Sequence, residues 1–383
     1  MDTLNKLMAH MRARPLELAE LRRQGAKIIG YVPNGYLPEE LLYASGAIPV
    51  GLMRGGDHEP VIRSEACLLR FVDTFCRSHI GYRLLGEELL YQLPDLLVVA
   101  NTDRNMFAIG EMWQHYTDVP VLKMDVPRYN RADHAFEYYV SGLRNIKKSL
   151  EEFTGHEITD ETLKHEIEVS NEIRSLLQQI SYTRKKITPP ITGKDFTRLN
   201  HATFYSDREV LVDALQTIAA ELKTRTVNKQ KSPRILLTGS TLAEGDYKVL
   251  DLLEQSGAAV VIEEFAEGVR HYREKVELQP DLIVALADRY LRRQPPPAFF
   301  KLVVKERFKY LLNLIKEFNV DGVVWYCLMY RDCYDKEGVL FQSALEKEVG
   351  IPFLKVHSDY DVAETGPMRT RIEAFIETIN QRR

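Results

Sequence analysis

Hydrophobic and polar positions follow one another along the chain in two different patterns. Short runs of valine, isoleucine and leucine, bounded by glycine, proline or polar residues, predict buried β-strands, and longer segments with an apolar residue every three or four positions predict helices. Their alternation favours parallel βαβ units over an antiparallel sandwich. The predicted strands are Lys27–Val32, Ile48–Leu52, Asp95–Ala100 and Val119–Asp125 in the first half, and Arg234–Thr238, Ala258–Glu263, Asp281–Leu286, Asp321–Tyr326 and Pro352–Val356 in the second.

The middle of the chain has mostly the helical pattern. It runs from Ala132 to Leu222 and is interrupted at Thr188-Pro189-Pro190, where two prolines remove backbone donors. We therefore expect an α/β fold of two tandem doubly wound parallel-sheet lobes, Rossmann-like or flavodoxin-like, with a helical connector. The predicted boundaries are 1–131 for the N-terminal lobe, 132–230 for the connector and 231–383 for the C-terminal lobe.

The two halves of the sequence repeat each other. The run IIGYVPNGYLPEELLYASGAIPVGL matches ILLTGSTLAEGDYKVLDLLEQSGAAVVIEE as strand, polar glycine-containing loop, helix, Ser-Gly-Ala and strand. Later, DLLVVANTDRN followed by VPVLKMDVP matches DGVVWYCLMYRD followed by IPFLKVHSDY. Any two βαβ units share some of these features, but two matching pairs in the same order favour a duplicated fold.

A duplicated parallel fold predicts where a ligand binds. In open parallel sheets, the loops at the carboxyl ends of the strands form the binding crevice. Gly239 is also expected to offer backbone N–H groups at a helix N-terminus, where they could meet an anion such as a CoA phosphate. The loops expected to line the crevice are Asn34-Gly35-Tyr36, Asn101-Thr102-Asp103, Gly239-Ser240-Thr241 and the stretch from Tyr326-Cys327 to Cys333.

Composition and charge exclude several classes of function. With 45% hydrophobic and 28% charged residues, the 383-residue chain has the balance of a soluble globular protein, and no apolar run is long enough to span a membrane. A net charge of −4 argues against nucleic acid as the main partner. The first residues do not resemble a signal peptide, so we expect a cytoplasmic protein, in which four cysteines are not a disulfide framework.

The four cysteines form two pairs with unusual spacing. Cys67 and Cys76 are separated by eight residues, and Cys327 and Cys333 by five, neither of which is a standard zinc or ferredoxin spacing. Thiolates after a core strand suit iron–sulfur or zinc, although free cysteines are also common as small buried hydrophobes. His79 is a candidate proton donor or a packed core histidine.

No residue can be assigned a catalytic role from the sequence. The run LLTGSTLAEG fits neither the P-loop nor the dinucleotide-binding pattern, so nucleotide binding by those motifs is not supported. Several charged residues near the late strands are as consistent with structural ion pairs as with catalysis: Arg331, Asp332, Asp359, Asp361 and Glu364.

Four segments carry a resemblance to a known family. They are GYVPNGYLPEELLYASGAIPVGL, FTGHEITDETLKHEIEVSNEIRSLL, ILLTGS and IPFLKVHSDYDVAETGPMRTRIEAFIETI. Together they resemble the subunits of 2-hydroxyacyl-CoA dehydratases and benzoyl-CoA reductases over nearly the whole chain. The resemblance implies a subunit of an anaerobic heterodimeric lyase or acyl-CoA reductase that holds a [4Fe-4S] cluster and receives single electrons from a separate ATP-dependent activator protein. The reaction implied is one-electron reduction of an acyl-CoA thioester followed by elimination of water, as in an (R)-2-hydroxyacyl-CoA dehydratase.

The family's cluster ligands carry over only in part. Cys333 fits the family's cysteine after the late strand, whereas Thr102 stands where a second thiol would be, and the first position falls near Asp73 with Cys76 displaced by one helical turn. The metal ligands implied are, in order of preference, Cys76, Cys333, Cys327 and Cys67. The residues expected to surround the cofactor are Asn34, Gly35, Tyr36, Thr102, Gly239 and Ser240.

This departure leaves alternatives open. The chain either assembles a cluster from these cysteines, or is a cluster-free subunit that supports a partner, or is an iron–sulfur electron-transfer protein acting on a small non-CoA substrate. The partner would be a related second subunit or an identical chain.

Overall fold

The described residues of the computed structural model, 1–225, 231–298 and 302–382, form two four-stranded parallel sheets. In the first, the order is β2-β1-β3-β4, and in the second it is β6-β5-β7-β8. The two orders are equivalent, so the predicted α/β fold and the repeat of its two lobes are confirmed. The strands are β1 Ile28–Tyr31, β2 Ile48–Gly51, β3 Leu96–Asn101, β4 Val121–Asp125, β5 Arg234–Gly239, β6 Ala259–Glu264, β7 Gly322–Leu328 and β8 Phe353–Ser358.

Helices cover the sheets and fill the middle of the chain. The central strands β1, β3, β5 and β7 are almost entirely buried because helices pack on both faces of each sheet, which explains their uninterrupted apolar runs. The helices are α1 Asp2–Arg23, α2 Glu39–Ala44, α3 His58–Arg63, α4 Thr74–Leu85, α5 Arg104–Tyr116, α6 Asp133–Thr154, α7 Asp160–Tyr182, α8 Gly193–His201, α9 Arg208–Thr224, α10 Lys248–Gln255, α11 Val269–Tyr272, α12 Leu282–Ala287, α13 Val304–Glu317, α14 Asp332–Ala344 and α15 Thr365–Arg382.

One predicted strand is wrong. The segment Asp281–Leu286 forms helix α12, whose N-terminus is capped by the Asp281 carboxylate accepting hydrogen bonds from the N–H groups of Ile283 (2.9 Å) and Val284 (3.1 Å). Most of its side chains are buried, so the segment is apolar throughout and has no helical periodicity. A short apolar run of this kind fits a buried strand and a buried helix equally well.

A helical middle region connects the lobes, as expected. Helices α6 to α9 lie between the two sheets in the chain, and the predicted break at Thr188-Pro189-Pro190 falls in the non-helical stretch before α8. Arg174 of α7 forms a buried ion pair with Glu40 of α2, with 2.6 Å between nitrogen and oxygen. In the described ranges, no helix is both long and apolar enough to cross a lipid bilayer.

Backbone hydrogen bonds join the lobes directly. The N–H of Glu244, in the loop after β5, donates to the carbonyl of Met53 after β2 (2.9 Å), and the N–H of Gly55 donates to the carbonyl of Glu244 (2.8 Å). These two bonds form a parallel bridge between Arg54 and Glu244. The loops at the carboxyl ends of the two sheets therefore face each other.

Candidate functional site

Loops from both lobes meet around one small buried cavity. Thr102 and Asp103 come from the end of β3, and Arg331 comes from the loop after β7. The cavity is about 20 Å³ and so has room for about one water molecule. Its other lining residues include Asn34, Tyr36, Phe75, Met106, Ser240, Thr241, Glu267 and Tyr334. The structure thus brings together most of the loops expected to form the crevice.

Hydrogen bonds fix the loops at the cavity. The Asn34 amide donates to the carbonyl of Ala100 at 2.7 Å, which ties the loop after β1 to β3. The Tyr36 hydroxyl donates to the carbonyl of Pro295 at 2.5 Å, which joins the first lobe to the second. Gly35, between them, has a φ of +82°, in the left-handed region that favours glycine.

Gly239 has a different role from the one expected. The helix predicted directly after it begins only at Lys248, so its N–H does not belong to a helix N-terminus, and that expectation is wrong. Gly239 has a φ of +145°, and a Cβ built on it would lie 1.7 Å from the carbonyl oxygen of Tyr326. The next residue, Ser240, donates its N–H to that carbonyl and accepts from the N–H of Leu328 on its Oγ. Close packing of this loop against β7 therefore requires glycine.

The centre of the site is a buried ion triad. The Arg331 guanidinium donates to Asp103 Oδ2 at 2.6 Å and lies 3.4 Å from Asp73 Oδ1, and all three side chains are buried. Each carboxylate also caps a helix: Asp73 accepts from the N–H of Cys76 at the start of α4, and Asp103 accepts from the N–H of Asn105 at the start of α5. An arginine of the second lobe thus holds two helix-capping carboxylates of the first.

Burial and charge act in opposite directions on Asp73 and Arg331. Burial raises the pKa of the Asp73 carboxyl, while Arg331 and the N–H of Cys76 oppose that rise. Burial disfavours the charge on Arg331, but the carboxylates of Asp103 and Asp73 outweigh it and raise the pKa of the guanidinium. Among the described residues, Asp73 Oδ2 and Arg331 Nε have no hydrogen-bond partner, so the triad is not saturated.

The four cysteines do not form one cluster site. A metal site needs three or more potential ligand atoms close together, here within 4.8 Å of one another. Of the four thiols, only that of Cys327 belongs to such a group in the described part of the chain, together with Asp335 and His357. Cys76 is fully buried, whereas Cys67 and Cys333 are half-buried. Burial raises the pKa of all four thiols.

The residues present therefore do not fit a cysteine-ligated [4Fe-4S] cluster. Such a cluster needs several thiolates around one space. At the ends of β3 and β7 the chain instead places Thr102 and an arginine bound to two carboxylates, and a guanidinium cannot ligate iron.

His79 is a packed core residue. Its Nδ1 accepts a hydrogen bond from Trp113 Nε1 at 3.0 Å, and the ring contacts Phe75 and Tyr91. Burial lowers the pKa of His79 to about 3, so the ring is neutral. Of the two roles considered for this residue, the structure supports packing.

Glu267 is a candidate that the sequence did not indicate. It lines the buried cavity, and its Oε1 accepts a hydrogen bond from the N–H of Leu242 at 2.5 Å. Burial raises the pKa of its carboxyl to about 7, against the lowering effect of that N–H. A carboxyl that titrates near neutral pH in a cavity is suited to accepting and returning a proton.

A larger cavity of about 500 Å³ lies between α1, the end of β2 and the loop after β5. Its size is that of a small-molecule site. Three arginines and three tyrosines give it cationic and aromatic walls: Arg12, Arg54, Arg198, Tyr91, Tyr205 and Tyr247. Two carboxylates, Glu88 and Glu244, also line it.

Comparison with known proteins identifies the family. The family model for the 2-hydroxyglutaryl-CoA dehydratase D-component matches residues 34–379. The chain is 27% identical over 371 residues to the putative dehydratase subunit YjiM of Escherichia coli (strain K12), covering 95% of this chain and 94% of that protein. It is 23% identical over 363 residues to the (R)-phenyllactyl-CoA dehydratase beta subunit of Clostridium sporogenes, covering 94% of each.

A third relative is a benzoyl-CoA reductase subunit of Thauera aromatica, which is 24% identical over 355 residues, covering 92% of this chain and 91% of that protein. These matches span both lobes and the connecting helices. The resemblance inferred from the sequence is therefore confirmed, and the chain belongs to the 2-hydroxyglutaryl-CoA dehydratase D-component family.

Proposed function

We propose that this chain is one subunit of an acyl-CoA dehydratase or acyl-CoA reductase complex, and that it works without a cysteine-bound [4Fe-4S] cluster of its own. Of the alternatives left open by the sequence, this is the cluster-free subunit. The observation that carries the proposal is the buried triad of Asp73, Arg331 and Asp103 at the strand ends. The dehydratase and reductase subunits among its relatives support the choice of complex.

In this proposal, a related partner subunit holds the cluster and receives electrons from an ATP-dependent activator. This chain contributes binding surface, excludes water and holds a titrating carboxyl, Glu267, at the interlobe cavity. The reaction of the complex is loss of water from a 2-hydroxyacyl-CoA or reduction of an acyl-CoA.

The test is metal and sulfide analysis of protein purified without oxygen. We expect less than one acid-labile sulfide per chain, both as purified and after reconstitution with iron and sulfide. About four sulfides per chain, with loss of that signal in Cys76→Ala and Cys333→Ala, would contradict the proposal and restore the cluster-bearing alternative.

We further propose that the larger cavity binds the CoA part of the substrate. Its arginines suit phosphate groups, and its tyrosines suit the faces of an adenine ring. Arg12 is on the exposed rim of this cavity, so reversing its charge changes the cavity without disturbing a buried contact.

Calorimetric titration with a 2-hydroxyacyl-CoA would test this assignment. We expect Arg12→Glu to weaken binding by about 1 kcal/mol, or about fivefold. The matched control is Arg23→Glu, on the same helix α1 but outside the cavity lining. Equal affinity in both variants, or no binding by the unaltered chain and its partner together, would refute the site. An iron–sulfur carrier acting on a non-CoA substrate would also give no binding.

A further inference from the structure

A group of potential metal ligands lies beside the ion triad. Cys327 of β7 and His357 of β8 are partners in the register of the second sheet. Register partners on adjacent parallel strands point to the same face of a sheet. Asp335, in the first turn of α14, approaches that face, and its Oδ1 lies 2.6 Å from His357 Nε2.

The three side chains are close enough to share one ion. The Cys327 sulfur, one Asp335 oxygen and one His357 ring nitrogen all lie within 4.8 Å of one another. Cys327 is fully buried, whereas His357 is exposed, so the group runs from the core to the surface. Sulfur, imidazole nitrogen and carboxylate oxygen are the three donor types that zinc accepts in proteins.

We propose that Cys327, Asp335 and His357 form a zinc site with one open coordination position on its solvent side. Three protein ligands and an exchangeable fourth position are the arrangement of zinc sites that remain accessible to small molecules. The site differs in chemistry from the cluster that the family implies: it uses only one of the four cysteines, Cys327, and a single zinc ion needs neither sulfide nor further thiolates.

Lys355 competes with the zinc ion for the Asp335 carboxylate. Its ammonium lies 2.7 Å from the same Asp335 oxygen and donates to the Asp335 carbonyl at 2.7 Å. A bound zinc ion and this ammonium would repel each other, so the lysine must turn away when the ion binds. Lysine has the long flexible stem needed to do this. Removing the lysine charge should therefore strengthen zinc binding, whereas a merely structural Lys355–Asp335 pair predicts no such gain.

The experiment is a zinc titration of the full-length protein against a chromophoric chelator. We expect one zinc ion per chain and a loss of affinity of about tenfold or more in His357→Ala. His165→Ala, which alters an exposed histidine of α7, is the matched control and should bind as the unaltered protein does. We expect Lys355→Met to tighten binding.

A cobalt substitution tests the sulfur ligand independently. Cobalt bound at this site should show a thiolate charge-transfer absorption that is lost in Cys327→Ala and kept in His165→Ala. His357 is exposed, so its variant keeps the fold even where Cys327→Ala does not. Zinc binding that is absent, unchanged in His357→Ala or not tightened in Lys355→Met would overturn the assignment. Acid-labile sulfide, which reports a cluster, is not affected by this result, so the two proposals can fail separately.

Discussion

Replacing Arg331 with methionine tests whether the ion triad holds the two lobes together. The substitution keeps an unbranched, flexible side chain and removes the charged guanidinium, so Asp73 and Asp103 remain as buried carboxylates without their cation. Two opposite charges about 4 Å apart attract by about 4 kcal/mol at an effective dielectric constant of about 20. Because the remaining charges stay buried, removing one partner of such a pair costs about 3–5 kcal/mol.

The assay is urea unfolding at pH 7, followed by circular dichroism. The control is the triple variant Arg331→Met with Asp73→Asn and Asp103→Asn, which has the same methionine and removes all three charges, with isosteric changes at the two aspartates. We expect the single variant to lose about 3–5 kcal/mol of unfolding free energy and the triple variant to recover at least half of that loss.

The stability loss of Arg331→Met should also depend on pH, in a direction that can be measured. Without Arg331, burial raises the folded-state pKa of Asp73 further above its unfolded value, so the folded state binds the proton more tightly. The loss of unfolding free energy is then small near the unfolded pKa of Asp73 and grows as the pH rises through its folded pKa. A deficit below about 1 kcal/mol at pH 7, or a triple variant no more stable than the single one, would refute this reasoning.

Three further predictions concern single residues. Burial raises the pKa of Glu267 to about 7, so its contribution to stability is favourable below the unfolded pKa and is lost as the pH rises through 7. Glu267→Gln should therefore stabilise the protein by about 1–3 kcal/mol at pH 8 and by much less at pH 5. An equal effect on urea unfolding at both pH values would contradict this. Gly239→Ala should cost more than about 2 kcal/mol or prevent folding, because its Cβ would meet the carbonyl oxygen of Tyr326, and a thermal unfolding midpoint close to that of the unaltered protein would disprove it. Cys76→Ala and Cys333→Ala should leave acid-labile sulfide at the same low level, whereas a drop in either variant would mean that the thiols hold a cluster.

The fold was predictable where the pattern reflects burial. Strands such as Leu96–Asn101 are covered on both faces, so their sequences are nearly continuous apolar runs that stand out between proline and polar residues. The same property made Asp281–Leu286 ambiguous, because a short helix buried on most sides has no polar face to reveal its period. Only the capping carboxylate of Asp281 could have indicated the helix.

The candidate site was predictable in position and not in chemistry. The rule that ligands bind at the carboxyl ends of parallel strands brought Asn34, Thr102 and Ser240 to one cavity. The sequence could not pair Arg331 with Asp73, because their contact joins residues 258 positions apart. Nor could spacing reveal that ligand atoms of Cys327, Asp335 and His357 lie within 4.8 Å of one another.

The backbone bridge between Arg54 and Glu244 bears on whether half of this protein can exist by itself. Each lobe has its own sheet, but each also supplies main-chain partners to the other. A fragment that ends after the first sheet would leave the carbonyl of Met53 and the N–H of Gly55 to water, together with the apolar surface around them. The two similar lobes therefore depend on each other, and denaturation should spread across both in one step.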